Sequence, residues 1–179
     1  ETPDERLERV IQLLDDGKIE KALSVAENDI SLLYNSSVQM NKKGNRRIHE
    51  ILLERIAVLS PADIEEWSMK GVALRHLKKY REAIFCYDKI LLKEPENAGA
   101  WSNKGVALGR LEKHEEALAC YERALEIDPG HAIAHAELGI VLRRLGRFGA
   151  ADAAYQAALE LDPGYALAWR NRGVLLDLY

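Results

Sequence analysis

The 179 residues suffice for one ordinary domain or two small ones, and 47% apolar with 30% charged residues describes a folded chain rather than a disordered one. With 25 Lys and Arg against 29 Asp and Glu, the net charge of −4 excludes a generalised binder of nucleic acid or membrane surfaces. No apolar run approaches the roughly 18 residues that cross a bilayer, no signal peptide opens the chain, and 2 cysteines exclude a disulfide scaffold.

The chain opens on Glu1 rather than Met, which reads as a processed or trimmed start. Leu7, Val10, Ile11 and Leu14 form one helical face, Asp4 and Glu5 suit the positive end of that helix, and Gly17 terminates it. From Ile19 to Met40 there is no Gly or Pro, and Leu23, Ala26, Ile30, Leu33, Ser37 and Met40 keep a three-four seam. One long or bent helix over 18–42 is therefore expected, with a break at Asn28-Asp29 as the alternative. After Gly44, a helix over 45–59 buries Ile48, Ile51, Leu52, Ile56 and Leu59, then meets Pro61. Its register with the later prolines assigns it to a second-helix slot, and 1–60 reads as a divergent helical N-terminal cap.

Beyond Pro61 the chain repeats itself. Trp67, Trp101, His135 and Trp169 are spaced by 34, as are Gly71, Gly105, Gly139 and Gly173. Ala83, Ala117 and Ala151 keep the same step, as do Tyr87, Tyr121 and Tyr155, and the series Pro61, Pro95, Pro129, Pro163 punctuates it. Within one unit, Trp67, Gly71 and Leu74 share a helical face, and so do Ala83, Tyr87 and Ile90. This is a pair of helices with a turn near Lys78 and Lys79. Gly71, having no side chain, allows the second helix to come close at Ala83, while Trp67 and Tyr87 supply apolar area. Proline then stops the second helix. One pair cannot bury its apolar face alone, so each unit needs the next to stack upon.

Residues 98–131, AGAWSNKGVALGRLEKHEEALACYERALEIDPGH, resemble the tetratricopeptide repeat at nearly every marked place. Units start at Ile64, Ala98, Ala132 and Ala166, the fourth stopping after 14 residues. The departures are Lys70, Lys104 and Arg172 where the family has Leu, and His135 where it has Trp. The resemblance implies an all-α, right-handed superhelical solenoid of antiparallel helix pairs. Its parts would be the cap at 1–60, units at 61–97, 98–131 and 132–165, and a partial unit or capping helix at 166–179.

Chemistry is harder to find. No Gly-rich phosphate loop, Gly-x-Ser-x-Gly or His-Glu-x-x-His occurs, so no enzyme and no cofactor are expected. His131 and His135 lie four apart, a spacing that places two rings on one helical face, but no third ligand accompanies them. The bland alternative makes His135 a packed, hydrogen-bonded stand-in for the indole. Cys86 and Cys120 hold the same place in successive units, farther apart than a disulfide spans, and read as free thiols of a reducing, cytoplasmic compartment. Lys42, Lys43, Arg46 and Arg47 read as a solvated helix end, and Asn35-Ser36-Ser37 as a chance glycosylation match.

By resemblance, the first helices of successive units line a concave groove that holds a peptide or helix of a partner protein. Carried over by position, the apolar lining is Val72, Val106, Ile133, Ile140, Leu167 and Val174. Arg75, Arg110, Arg143, Arg144 and Arg170 stand among them, with Asn103 and Asn171, and with Ser68 and Ser102. An aliphatic stripe edged by guanidinium groups suits a partner with aliphatic anchors and carboxylates. The five slots with which relatives clamp a chaperone C-terminal carboxylate hold Ser68, Val72, Asn103, Ile133 and Glu137 here; only Asn103 matches, so that ligand is not expected. At the chain end Leu175, Leu176, Leu178 and Tyr179 lack a covering second helix, which implies a cap, a longer natural chain or self-association through this helix. The reading is a protein-interaction scaffold; the alternatives are a structural or self-association element and a regulatory region of a larger protein.

Overall fold

The residues that punctuate the sequence end helices. A computed structural model describes residues 1–176, among which lie eleven α-helices and no strand. They are α1 (Pro3–Asp15), α2 (Ile19–Ala26), α3 (Ile30–Lys42), α4 (Arg46–Val58), α5 (Ile64–His76), α6 (Tyr80–Lys93), α7 (Ala98–Arg110), α8 (His114–Ile127), α9 (Ala132–Arg144), α10 (Phe148–Leu161) and α11 (Ala166–Leu176). The chain forms two compact units, residues 1–86 and residue 87 onward, divided within α6.

In the first unit the single helix expected over 18–42 is broken, and the alternative break is the one found. Glu27 takes a left-handed φ of 51°, and the Asp29 carboxylate accepts from the Leu32 amide at 2.8 Å, capping α3. Arg6 completes the break. Its guanidinium donates to the Val25 carbonyl at 3.1 and 2.8 Å and to the Ala26 carbonyl at 3.3 Å, and it pairs with Asp29 at 3.1 Å. A continuous apolar seam does not report such capping, because the cap and the arginine satisfy the very backbone groups that a longer helix would have paired.

α1 packs on α2 and α3, α3 on α4, and α5 on both α3 and α4. Their shared core contains Val10, Leu14, Ile30, Leu33, Met40, Ile48, Leu52 and Ile56, with Leu7, Ile11 and Leu59 at its margin. Ile51, expected in the core, is half-buried. Helices α3, α5, α7, α9 and α11 begin at residues 30, 64, 98, 132 and 166, a constant step of 34. The repeat of the fold thus starts one unit earlier than the repeat of the motif. In this hidden unit Ser37 replaces the glycine and His49 the alanine, and the His49 Nδ1 donates to the Ser37 carbonyl at 2.9 Å. Ser37 is fully buried, its hydroxyl donating to the Tyr34 carbonyl at 2.8 Å, so the third residue of the glycosylation match lies in the core while Asn35 is exposed.

The first helix of each unit closes with the same turn. Gly44, Lys78, Glu112 and Gly146 all have positive φ (78°, 61°, 61° and 74°). After the last three, the amides of Lys79, Lys113 and Arg147 reach back to the carbonyls of Leu74, Leu108 and Leu142 at 2.8–3.1 Å.

In the second unit α7 packs on α8, α8 on α9, α9 on α10 and α10 on α11, while α7, α9 and α11 also touch in succession. The close approach foreseen for the alanine of the second helix is made by the tyrosine. A Cβ on Gly105 would stand 2.9 Å from the Tyr121 ring, and one on Gly139 would stand 2.5 Å from Tyr155. Each ring therefore sits directly against the glycine of the first helix, and Ala107, Ala117, Ala124, Ala136, Ala151 and Ala158 are all buried in the same unit. Leu175, expected to be uncovered, is fully buried. The expectations for Leu176, Leu178 and Tyr179 fall outside the described side chains.

Two outcomes follow from these contacts. Gly139→Ala should cost about 1–3 kcal/mol in urea unfolding, whereas Gly173→Ala, with nothing within 4 Å of its Cβ, should be neutral or slightly stabilising. Glu112→Gly should raise stability by about 0.5–1 kcal/mol and Gly146→Ala should lower it by a similar amount, read as opposite shifts of the melting temperature.

Candidate functional site

The first helices of the second unit carry most of the expected groove. Between α7 and α9, Val106, Arg110, Ile140 and Arg144 surround a depression of about 140 Å³, joined by Gly109, Val141, Glu137 and, from α8, His114 and Tyr121. Arg110 and Arg144 are exposed and have no ion pair among the described residues. Arg170 on α11 is likewise exposed and unpaired. Three other arginines of the second unit are engaged: Arg123 with Glu96 and Glu126, Arg147 with Glu115 at 2.9 Å, and Arg172 with Asp152 at 2.7 Å.

Other expected residues fall differently. Ile133 and Val174 are 51% and 47% exposed, and Leu167 and Asn103 are half-buried. The Asn171 amide is spent on its own helix, donating to the Leu167 carbonyl at 2.8 Å, and Ser102 is buried in the core. Arg143 is not part of the depression. It is half-buried beside Tyr155, whose phenol burial pushes up and the Arg143 guanidinium pulls back down, and its Nε is buried without a partner. In the first unit, Val72 and Arg75 sit half-buried on α5, and the Arg75 Nε is also buried without a partner. Glu137 and His114 escaped the sequence reading as lining residues. From sequence Glu137 reads only as an obstacle to a carboxylate, and His114 opens a second helix, a place that repeat numbering assigns to the turn.

The departures from the family pattern have structural explanations. His135 Nε2 contacts the Pro129 carbonyl at 3.0 Å, as the indole N–H groups of Trp101 and Trp169 donate to Pro95 and Pro163 at 2.8 and 2.9 Å. The imidazole replaces the indole bond for bond, which commits that nitrogen. Lys104 pairs with Asp88 at 2.7 Å, Arg172 grips Asp152 through two nitrogens, and Lys70 donates to the Leu59 carbonyl. A cation at this place in the first helix ties it to the helix before it, where leucine would only pack. Cys86 and Cys120 are free and buried, and burial pushes each thiol up to about 11, which keeps them protonated and unreactive. Lys42, Lys43, Arg46 and Arg47 are exposed, Lys43 paired with Asp15. No helix of the described residues is long and apolar enough to cross a membrane.

Comparisons with known proteins agree with this architecture. The family description "Tetratricopeptide repeat" matches residues 64–97 and again residues 96–164. Similar solved structures include the first TPR of Spaghetti (RPAP3) bound to the HSP90 peptide SRMEEVD, 25% identical with a TM-score of 0.62 over 64% of this chain and 91% of that one. The first TPR domain of human RPAP3 is 25% identical, TM-score 0.63, over 66% and 93%. MamA from Desulfovibrio magneticus RS-1, from residue 41 to its end, is 21% identical, TM-score 0.63, over 92% and 97%. A comparison with curated proteins gives no match.

At the end of α5, electrostatics makes one part of the fold sensitive to acid. The His76 ring stands edge-on to His49 at 5.9 Å. Although one edge of it is exposed, shielding of the packed side lowers its pKa below the ordinary 6.5, and Arg75 and His49 add to the effect. Arg46, Glu50 and Lys78 share the same depression. Because the unfolded chain takes up this proton more readily, the contribution is complete above the ordinary histidine pKa and is lost as pH falls below it. The urea midpoint should therefore drop between about pH 7 and about pH 5, with a shallower drop in His76→Gln.

Proposed function

We propose, from the premise that the chain belongs to the tetratricopeptide repeat family, that it is a non-catalytic protein-interaction module whose α7–α9–α11 face receives a partner peptide or helix bearing aliphatic and acidic side chains. One observation carries this reading: within the second unit, Arg110, Arg144 and Arg170 on that face have no ion pair among the described residues and stand near exposed aliphatics, whereas Arg123, Arg147 and Arg172 are bound to carboxylates. A guanidinium without an internal carboxylate is available to one that arrives from outside. The face is preformed on rigid helices, so the partner bears most of the ordering cost. Two buried free thiols favour a reducing compartment, taken here as the cytoplasm.

The relative that holds an HSP90 peptide supports a peptide ligand in general. Against a clamped C-terminal carboxylate stand Ile133, 51% exposed, and Glu137, which occupy two of the slots where such a clamp needs cations. The proposed ligand is therefore an internal acidic-aliphatic segment rather than a chain terminus. In this reading 1–60 is a divergent cap, 61–97, 98–131 and 132–165 are units, and 166–179 is a partial one.

The test is affinity capture from a lysate with the parent chain beside an Arg110→Glu, Arg144→Glu variant, followed by titration of the partner so identified. Binding should weaken at least about tenfold in the variant, and the peptide SRMEEVD should compete poorly. Equal binding by both chains would remove the face from consideration. Self-association that survives the variant unchanged, with no partner retained, would favour a structural element.

A further inference from the structure

On the first unit, α4, α5 and α6 enclose a cleft of about 340 Å³, within the range of sites that take a side chain or small molecule. Its floor is Leu74 and Cys86, each 1% exposed. Its walls include the rings of Trp67 and Phe85, edge to face at 6.1 Å, and Phe85 is 54% exposed. Beside the lining residue Ala57 on α4, Val58 is 72% exposed.

The repeat itself supplies the control. Places equivalent to Phe85 hold Ala119 and Ala153, both exposed, so the fold has no need of an aromatic there. Of the places equivalent to Val58, the next holds Leu92, which is also exposed, and the last two hold Glu126 and Glu160. Trp101 and Trp169 spend their indole N–H on a proline carbonyl, a bond that Trp67 does not make. Arg81, on the lip of the cleft, has no ion pair among the described residues, whereas its counterpart Glu115 is paired with Arg147. With Lys70 and Arg81 against Glu82, the lip is cationic by one charge.

We infer that this cleft is a second docking site, built from other residues than the α7–α9–α11 face, for a protein segment that inserts one bulky aliphatic or aromatic side chain and sets a carboxylate against Arg81. The apolar floor and ring walls desolvate the anchor, which is where most binding energy concentrates. The unpaired guanidinium selects a segment with an acidic residue next to that anchor. Phe85 and Arg81 are additions to the repeat and not parts of its core.

The test uses the whole chain. Random peptides displayed on phage are selected on the Arg110→Glu, Arg144→Glu variant, in which the other face is disabled. The enriched peptide is synthesised with a fluorophore and titrated by anisotropy against the parent, Phe85→Ala and Arg81→Glu. The expected peptide carries Leu, Ile or Phe with Asp or Glu close by. It should bind the parent and the selection variant alike, and lose about tenfold or more with Phe85→Ala and with Arg81→Glu. Melting curves equal to the parent's show that both variants are folded. Failure to enrich such a peptide, or undiminished binding by Phe85→Ala, overturns the inference without touching the groove reading. Sedimentation showing that the parent self-associates and Phe85→Ala does not would also overturn it, since the occupant would then be a second copy.

Discussion

The packing of the second unit depends on a tyrosine ring laid against a helix that has no side chain at that point. A buried tyrosine removes roughly 150–250 Å² from water, but only where a flat surface admits the ring. Gly105 and Gly139 supply that surface for Tyr121 and Tyr155, with the ring so close that no Cβ fits between. The buried alanines of the same helices leave little volume between them, as a close-packed interior requires. The first unit solves the problem differently, with Leu, Ile and Met interlocking in the core and a buried Ser37 where the glycine would stand. The first helices α3, α5, α7 and α9 each keep 13 residues, and the turns after them keep their places, despite the switch in core chemistry.

With the pairs so fixed, few residues remain to join one helix to the next. The indole or imidazole at the fourth place of the first helix ties it to the proline carbonyl of the preceding loop. The lysine or arginine at the seventh place ties it to the helix before, through a carboxylate or a carbonyl. Both kinds of tie leave the outer ends of the first helices free of structural duty. That freedom is why Arg110 and Arg144, at the last places of α7 and α9, can stand unpaired, while Arg147 and Arg172 pair with carboxylates of neighbouring helices.

The repeated Gly, Ala, Tyr and Pro made the helix pairs legible from residue 64 onward, because each of those residues is tied to a local geometric need that recurs at 34. The hidden unit from Ile30 was partly legible, through Gly44 and Pro61. Its glycine and alanine are replaced by Ser37 and His49, which carry no motif. The break before it was misjudged for a related reason. Asp29 caps α3 and Arg6 holds the end of α2, a contact between residues 19 and 23 apart that no local periodicity records.

For the groove, the sequence by itself determined which residues lie on first helices and that aliphatics alternate there with arginines. It also identified His135 as the replacement for an indole, since the identity of a side chain at a fixed place limits the bond it can make. Only the tertiary structure decided which arginines are available. Arg110 and Arg144 meet across one depression, Arg143 turns to Tyr155, and Asn171 bonds its own helix, because each outcome depends on what the adjacent helix offers within a few ångströms. The cleft beside Trp67 and Phe85 belongs to the same class. Its residues come from three helices, and an exposed aromatic reads from sequence as one more apolar position until the packing leaves it outside the core.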